Sequence, residues 1–373
     1  MRRVVVLSHR DIKHSEGGGA TLYVHEIFKR LTTKYDVTIV STARKGLPTR
    51  DRIDGLTIVR IPFPRLSRFT LPMSLLTRLT GHADIVVDNG DIAIPWFTPA
   101  YVHKPLVSII YQIVGNIFGY ELPSPFSNLA QKAEPWIYKA YKHTKIVACS
   151  PSTKDDLVKF GISRENVSVI LPGIDESLRN HEPSGVKFSN PTIVCIGRFK
   201  RYKGLHFAVR AMSYIVARIP TANLVIVGSG DDSEIRSEIS KAGLESNVNL
   251  IKRSPHIWNQ EKIALLSNAH IALVPSVREG YGIVVIEANA CGTVAVGWNV
   301  PGLQDSIHDG ETGVLVPFGN VELLGEQLSI LLEDHGRRIM MADLAKKWSR
   351  THSWDRAAGE FDNVMESVIS KRN

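Results

Sequence analysis

Short apolar runs rich in valine and isoleucine recur along the whole chain, separated by segments of helical periodicity. This alternation is typical of parallel strands joined by crossover helices, because a strand covered on both faces needs apolar side chains at nearly every position. The runs that predict a first sheet are Val4–Leu7, Val37–Val40, Thr57–Ile61, Ile85–Val87, Leu106–Ile110, Ile146–Cys149 and Val167–Ile170. The runs that predict a second sheet are Thr192–Ile196, Leu224–Val227, Val248–Ile251, Ile271–Val274, Thr293–Val296 and Val314–Val316. The sequence therefore predicts an α/β fold with two doubly wound parallel sheets.

A break in this alternation separates the two series. The segment 171–175, Leu-Pro-Gly-Ile-Asp, and the polar stretch through Asn190 carry no strand pattern and indicate a linker. A chain of 373 residues suits two α/β domains of ordinary length, with one large barrel as the alternative. We predict a first domain over 1–175, a second over 176–352, and a C-terminal helix over 353–373 that crosses back to the first.

The charge balance favours an anionic partner. The sequence has 45 Lys and Arg against 37 Asp and Glu, for a formal net charge of +8. Nucleic acid, anionic lipid or a sugar nucleotide would each satisfy this charge. We expect no nucleic-acid partner, because the chain has no finger motif, no aromatic and basic RNA-binding signature and no dense basic helix.

The N-terminus and the cysteines both favour a cytoplasmic location. The apolar run Val4–Leu7 is too short for a signal-peptide core or a membrane span. Cys149, Cys195 and Cys291 are odd in number, widely spaced and set in apolar runs. We therefore expect buried thiols in a reducing compartment. The cysteines lack the spacing of metal ligands, and we expect no metal site.

A glycine-rich segment follows the first predicted strand. Gly17, Gly18 and Gly19 precede a helix, and glycines let backbone amides approach an anion at a positively polarised helix start. The run is not a complete dinucleotide fingerprint, because Leu22 stands where a further glycine would be needed. A tight turn with no ligand is the alternative. The apolar positions that place the helix's buried face are Val24, Ile27, Phe28 and Leu31.

A basic segment, 197–204, follows the first strand of the second series. Arg198 and Lys203 lie there at a strand end, where ligands of open α/β sheets bind, and both can neutralise phosphate oxygens. A solvated basic loop is the alternative. The position after the strand favours a phosphate-binding role.

The segment from Pro275 to Glu287 combines a strand end, a glycine-containing turn and a helix start near Gly282. The amides of Tyr281, Gly282 and Ile283 can therefore point at a diphosphate. Glu279 lies in the turn and Glu287 lies about one and a half turns into the helix. Since two carboxylates beside a phosphate would be repelled, we expect them to contact neutral sugar hydroxyls.

The chain resembles the retaining glycosyltransferases of the GT-B fold, specifically family four (glycosyl transferases group 1). The signature of that family is a pair of glutamates with seven residues between them, matched by Glu279 and Glu287. The similarity extends along the chain, and the other segments that carry it are Gly18-Gly19, 169–175, Arg198 with Lys203, 227–230, 309–313 and the Trp354 helix. It implies two Rossmann-like domains facing across a cleft.

The resemblance also implies roles for these residues. Arg198 and Lys203 would bind the donor diphosphate and support its departure, and the Gly18 and Gly19 amides would close over it. Glu279 would contact the donor sugar, which makes it the third predicted catalytic residue, and Glu287 would hold the ribose. Transfer would proceed on one face of the sugar, with the departing diphosphate accepting the acceptor's proton. No cofactor or metal would be required, since the two cations stabilise the leaving group.

One position departs from the family pattern. The strand Leu106–Ile110 of such enzymes usually delivers a histidine to the donor sugar, whereas Tyr111-Gln112 stands here. Tyr111 can contact the donor through its hydroxyl but cannot carry a proton as an imidazole does. The linker likewise has Pro172-Gly173 where asparagine-glycine is common. The choice of sugar and the rate are therefore open.

Three other functions compete with hexosyl transfer from a nucleoside-diphosphate sugar. A nicotinamide dehydrogenase would require a complete glycine fingerprint and an acidic residue about 20 positions on; Asp36 is near that place, but the fingerprint is incomplete. A sugar-nucleotide epimerase of the same fold can be distinguished from a transferase only by turnover assays. A non-catalytic carbohydrate-binding protein is supported only by Tyr111.

The acceptor is expected to be a glycan or a lipid-linked glycan, and the donor a UDP- or GDP-linked sugar. The segment Pro62–Leu79 mixes Arg65, Arg68 and Arg78 with large apolar residues, which suits an anionic membrane surface. A helix packed on the first domain with its arginines in water is the alternative. The resemblance favours a peripheral contact with the cytoplasmic membrane face.

Overall fold

A computed structural model of the chain describes residues 1–61, 73–90, 96–182, 186–253 and 259–371. The chain forms two compact units. The first contains Met1–Gly115, Pro125–Gly173 and Trp354–Asn373, and the second contains Asn116–Ser124 and Ile174–Ser353.

The first unit contains an eight-stranded sheet in the order β3-β4-β2-β1-β5-β6-β7-β8. Its strands are β1 Arg2–Ser8, β2 Tyr35–Thr42, β3 Arg50–Ile53, β4 Leu56–Ile61, β5 Ile85–Gly90, β6 Leu106–Ile110, β7 Lys145–Ala148 and β8 Val167–Val169. Every apolar run predicted in the first half falls in or overlaps one of these strands. The helices of the unit are α1 Gly19–Arg30, α2 Met73–Gly81, α4 Phe126–Lys139, α5 Pro151–Lys159 and α14 Trp354–Ser370.

The edge strand β3 was not predicted, and it is the one antiparallel member of the sheet in the described residues. Its sequence, Arg-Asp-Arg-Ile, is polar because an edge strand faces water. A two-residue turn at Asp54 and Gly55, both with positive φ (49° and 82°), joins it to β4. An Asp-Gly turn of this kind is a strong hairpin signal, so the sequence did contain the evidence for β3.

The core of the first unit lies between the sheet, α1 and α14. The apolar face predicted for α1 is buried, and Phe28 packs edge-on against Phe361 of α14 with ring centroids 5.2 Å apart. Tyr23 contacts Trp354 and donates its hydroxyl to the Ile170 carbonyl at 2.9 Å. These contacts hold the last helix against the first unit.

The second unit contains a six-stranded parallel sheet in the order β11-β10-β9-β12-β13-β14. Its strands are β9 Thr192–Ile196, β10 Asn223–Gly228, β11 Val248–Lys252, β12 Ile271–Val274, β13 Val294–Trp298 and β14 Gly313–Val316. All six predicted runs match these strands within a few residues. Its helices are α3 Phe118–Glu121, α6 Glu176–Arg179, α7 Leu205–Arg218, α8 Ser233–Ala242, α9 Asn259–Asn268, α10 Ile283–Ala290, α11 Leu303–Ser306, α12 Val321–Glu333 and α13 His335–Ser349.

The core of the second unit follows from helical spacing. Leu205, Val209 and Met212 of α7 recur every three or four residues and are fully buried on the sheet, as is Trp298 at the end of β13. The prediction of buried cysteines is confirmed, because all three thiols are free and buried. Burial raises the pKa of Cys291 to about 11, which keeps that thiol protonated at neutral pH.

The described ranges contain no helix whose length and apolar character would let it cross a bilayer. Within the same ranges, no three His, Cys, Asp or Glu side chains come together as potential metal ligands.

Candidate functional site

The order of the second sheet defines where a ligand can bind. The chain winds outward from β9 to β11 and then returns to place β12 on the other side of β9. The carboxyl ends of β9 and β12 therefore form a topological switch point, where the loops diverge and leave a crevice. The two motifs singled out in this half, at Arg198 and at Glu279, follow these two strands.

The loop after β9 is held against the sheet by its backbone. The Gly197 amide donates to the Val227 carbonyl at 3.0 Å and the Phe199 amide to the Ser229 carbonyl at 2.7 Å. The loop then forms one 3-10 turn and reaches Gly204, whose φ is 67°. A Cβ at Gly204 would lie only 1.9 Å from the Pro275 carbonyl oxygen, so glycine is required for the loop to pack on the end of β12.

The turn after β12 is held in a similar way. Val277 donates its amide to the Tyr202 carbonyl at 2.8 Å, which ties this turn to the β9 loop. Gly302 passes so close to the turn that a Cβ there would lie 2.1 Å from the Glu279 carbonyl oxygen. Gly282, with φ 82°, precedes α10, which begins at Ile283 as predicted.

Lys203 and Glu279 meet at this switch point. Lys203 Nζ lies 2.5 Å from Glu279 Oε1, and the Ser276 hydroxyl donates to the same oxygen at 2.6 Å. Both charged side chains are only 20% and 14% exposed. Burial by itself would lower the pKa of Lys203, but the Glu279 carboxylate and Tyr202 more than offset it, so the pKa of Lys203 is raised. The ammonium group is therefore charged at any physiological pH.

Arg198 lies in the same loop and is half-buried. One of its guanidinium nitrogens, Nη2, donates to the Tyr202 hydroxyl at 2.9 Å. Its positive charge acts on Lys203, where it works to lower the pKa. Two cations thus lie in one loop, and a diphosphate could interact with both.

Glu287, in the second turn of α10, has a different partner. Lys262 of α9 donates to Glu287 Oε1 at 2.6 Å, and the pair is mostly buried, with side-chain exposures of 16% and 8%. Each glutamate of the signature pair therefore has its own lysine. From the sequence alone, the two carboxylates are expected to repel a bound phosphate. These two ion pairs reduce that repulsion.

Tyr281, between the two glutamates, is buried. Its hydroxyl lies 2.7 Å from His352 Nε2, and the His352 ring packs edge-on against Trp348. This contact holds the Tyr281 side chain away from the predicted anion site. Only the backbone amide of Tyr281 is then expected to bind the anion.

In the first unit, the glycine-rich segment lies where predicted, between β1 and α1. Gly18 is the N-cap residue of α1, in extended conformation, and provides no side-chain cap for the first amides of the helix. A Cβ at Gly18 would meet nothing within 4 Å. The open space and the uncapped helix start suit the approach of an anion.

Tyr111 follows β6 and is buried in the first unit. Its hydroxyl lies 2.7 Å from Asn89 Oδ1 and 3.1 Å from the Ala20 carbonyl oxygen. Its ring packs edge-on against Tyr23. Tyr111 thus has structural partners at the position where the resemblance places a donor contact, and its donor contact stays a prediction.

Of the predicted site residues, the structure brings Arg198, Lys203 and Glu279 together at one switch point. Glu287 lies further along α10, and the Gly18-Gly19 segment and Tyr111 belong to the first unit. Sequence reasoning missed the polar partners of the site, Ser276, Tyr202, Lys262 and His352. Ser276 and Tyr202 lie inside the motifs and could have been considered, whereas Lys262 and His352 are distant in sequence and carry no local signal.

Comparisons with known proteins identify the family. The model of the family "Glycosyltransferase Family 4" matches residues 17–178, and that of "Glycosyl transferases group 1" matches residues 177–348. A D-inositol 3-phosphate glycosyltransferase of Corynebacterium glutamicum is 27% identical over 398 residues, covering 96% of this chain and 94% of the relative. Another, from Corynebacterium aurimucosum, is 29% identical over 242 residues; that alignment covers 60% of this chain and 57% of the relative.

Solved structures agree on the fold. Sucrose-phosphate synthase of Thermosynechococcus elongatus superimposes with a TM-score of 0.84 at 18% identity, covering 100% of both chains. Anabaena HepE in complex with UDP-glucose gives a TM-score of 0.79 at 17% identity, over 98% of this chain and 100% of HepE. The chain therefore belongs to the family-four glycosyltransferases (glycosyl transferases group 1) and has the GT-B fold.

Proposed function

We propose that this glycosyltransferase moves a hexose, with retention of anomeric configuration, from a UDP- or GDP-linked donor to a glycan or lipid-linked acceptor. The observation that carries the proposal is the convergence of Arg198, Lys203 and Glu279 at the switch point of the second sheet. Cations and backbone amides can bind a diphosphate, and a carboxylate can accept hydrogen bonds from sugar hydroxyls. The three side chains and the start of α10 supply both.

In this proposal Arg198 and Lys203 bind the diphosphate and stabilise the charge that develops as it leaves. The amides of Tyr281, Gly282 and Ile283 add donors at the start of α10. Both cations are held by side-chain contacts before any ligand binds, Arg198 by Tyr202 and Lys203 by Glu279. The fold therefore orders the two cations in advance, which lowers the entropy cost of donor binding.

Glu279 accepts hydrogen bonds from the donor sugar, and Glu287 from the ribose. The Ser276 hydroxyl and Lys203 hold one oxygen of Glu279. A carboxylate has a second oxygen that can accept from a sugar hydroxyl, so these contacts orient Glu279 without using its full capacity. Gly18 and Gly19 of the first unit would contribute amides to the donor, and Tyr111 would contact it.

Retention follows if the acceptor hydroxyl attacks the face from which the diphosphate departs. The bond between the sugar and the phosphate oxygen breaks, the acceptor oxygen forms the new bond, and its proton passes to the departing phosphate. No protein nucleophile takes part. Arg198 and Lys203 supply the positive charge that a divalent cation would otherwise supply, so activity should survive exhaustive chelation.

The acceptor and the location are also part of the proposal. The corynebacterial relatives are named D-inositol 3-phosphate glycosyltransferases, so inositol phosphate is tested as an acceptor beside lipid-linked glycans. The proposal also includes a cytoplasmic location and a peripheral membrane contact through 62–79, where the sequence mixes arginines with large apolar residues. Arg65 and Arg68 lie outside the described residues, and Arg78 of α2 is exposed. Charge reversal of all three arginines should abolish vesicle binding if this segment is the contact.

The experiment is a thermal-shift screen against UDP, GDP and ADP sugars, followed by turnover with the stabilising donor. A true donor must raise the melting temperature by mass action. The anomeric configuration of the product is then read by proton NMR. An inverted product, a metal-dependent reaction or epimerisation of the donor without transfer would each contradict the corresponding part of the proposal.

One observation favours a second function. Tyr111 stands where the family places a histidine, and its hydroxyl is occupied within the first unit. A carbohydrate-binding protein without turnover would keep the donor site and lose catalysis. Donor binding without transfer to any acceptor or to water would favour this alternative.

A further inference from the structure

Helix α4 has two faces of opposite character. Its buried side carries Ser127, Glu134 and Tyr138. The Glu134 carboxylate accepts hydrogen bonds from the amides of Val114 at 2.5 Å and Gly115 at 2.8 Å. The helix is therefore anchored to the first unit through a buried carboxylate, and its outward face is fixed in orientation.

The outward face carries large apolar side chains. Phe126, Leu129 and Trp136 are 64%, 67% and 70% exposed. At about 100° per residue, the three lie within an arc of about 80° on the side of the helix away from Ser127 and Tyr138. Ala133 falls within the same arc and is also exposed. These residues form one contiguous apolar stripe. Single exposed hydrophobic residues are common on protein surfaces, but a contiguous patch indicates an interaction site.

Lysines flank this stripe on one side. Lys132 and Lys139 lie about 40–60° around the helix from Trp136, and both are exposed. Lys139 Nζ lies 4.4 Å from the centre of the Trp136 ring. Glu134 is the only acidic residue between Leu122 and Lys154, and it is buried against the two amides. The exposed face of α4 therefore carries lysines and no acidic side chain of the helix itself.

We propose that the α4 face (Phe126, Leu129, Trp136, Lys132 and Lys139) docks on an anionic lipid surface. Aromatic and aliphatic side chains at this spacing can enter the boundary between headgroups and acyl chains, while the lysines remain beside the phosphates. A second copy of the chain is disfavoured as occupant, because a two-fold contact would bring the same lysines together. This surface shares no residue with 62–79, and the inference does not depend on the donor site.

The experiment is co-sedimentation of the full chain with vesicles of phosphatidylcholine alone or with about 30 mol% phosphatidylglycerol. Wild type should bind the anionic vesicles. The variant Phe126→Ser/Leu129→Ser/Trp136→Ser should bind about tenfold more weakly or worse. The matched control is Ile339→Ser/Met340→Ser/Leu344→Ser on α13, which removes three apolar residues that are 47%, 64% and 45% exposed and should bind as wild type does.

A charge variant tests the same surface without touching the apolar residues. Lys132→Gln/Lys139→Gln should weaken binding to anionic vesicles by about fivefold per lysine, and less as salt rises. Charge reversal of Arg65, Arg68 and Arg78 is run in parallel, so that binding through 62–79 is measured separately.

The proposal is overturned if wild type does not bind anionic vesicles, or if the folded apolar variant binds as well as wild type. It is also overturned if sedimentation velocity shows a dimer that the same substitutions dissociate while vesicle binding is unchanged. A loss seen only in the arginine variant would assign lipid binding to 62–79 instead.

Discussion

The two sheets present switch points of the same topology but opposite chemistry. In the second unit, the ends of β9 and β12 carry Arg198, Lys203 and Glu279, which are charged and partly open to solvent. In the first unit, the ends of β1 and β5 carry Ser8, Asp88 and Asn89, all of which are buried. The strand order alone would predict a ligand at both edges.

The polar groups of the first edge largely satisfy one another. Asn89 donates to the Ser8 hydroxyl at 2.8 Å, and its side-chain oxygen accepts from Tyr111. Asp88 Oδ2 accepts from the hydroxyls of Thr98 and Tyr141. Burial raises the pKa of Asp88 to about 6, despite these hydrogen bonds. The first edge is thus a buried network of side chains that hydrogen-bond to one another, whereas the charged side chains of the second edge are partly exposed.

The largest effect on stability is expected at Gly302. Gly302→Ala should cost about 3 kcal/mol or more of unfolding free energy, because φ is 85° and the new Cβ would meet the Glu279 carbonyl. Gly18→Ala, at the glycine segment of the first unit, should cost less than about 1 kcal/mol, because its φ is −150° and the space is open. Urea unfolding measures both. Equal losses would show that the two edges are equally constrained.

The next effect is on catalysis. Glu279→Gln should lower turnover tens-fold, since each lost ~1.36 kcal/mol of transition-state stabilisation is a factor of ten in rate. Affinity for the free nucleoside diphosphate should barely change, because the proposed partner of the carboxylate is the sugar, which the free diphosphate lacks. Initial rates and calorimetry read the two quantities separately. Full activity in the folded Glu279→Gln variant would remove Glu279 from the reaction.

Glu287 should behave differently from Glu279. Glu287→Gln should weaken nucleoside diphosphate binding by about tenfold, as expected for a lost charged hydrogen bond of ~1.5 kcal/mol to the ribose. Lys262→Met should produce a part of the same loss, because Lys262 orients Glu287. The 2′-deoxynucleotide tests the contact. Wild type should bind it more weakly than the ribonucleotide, because the 2′-hydroxyl is missing, and this difference in affinity should disappear in Glu287→Gln. If it persists, the ribose has another partner.

The last effect is confined to a range of pH. The folded-state pKa of Asp88, about 6, lies above the unfolded value of 3.8, so the folded state binds more protons between these values. Stability should therefore fall as pH rises from 4 to 6. Asp88→Asn removes this term, so the variant should gain about 2–3 kcal/mol relative to wild type between pH 4 and 7. A pH-independent difference would show that Asp88 does not titrate in this window.

The sequence predicted the two sheets well, because a parallel strand buried on both faces has to be apolar at nearly every position. It missed β3, where an edge strand carries polar residues and only the Asp54-Gly55 turn marks the hairpin. For the candidate site, it predicted roles for Arg198 and Glu279, which lie within a few positions of a strand end, and those roles stay predictions. It could not predict the ion pair of Glu287 with Lys262, or the contact of Tyr281 with His352. Those pairs depend on how helices pack, and nothing in the local sequence specifies that.

The central claim is that the β9 and β12 edge binds the donor diphosphate through Arg198 and Lys203. Calorimetry with UDP and GDP tests it, comparing Arg198→Ala/Lys203→Ala with the control Lys200→Ala/Arg201→Ala. The control removes the same charge from the same loop, but at exposed residues paired with Glu121 and Glu234. The account predicts a loss of about 100-fold or more in the first variant, at ~1.5–3 kcal/mol per charged hydrogen bond, and little change in the control. Unchanged affinity in the folded Arg198→Ala/Lys203→Ala variant, or equal losses in both, would contradict it.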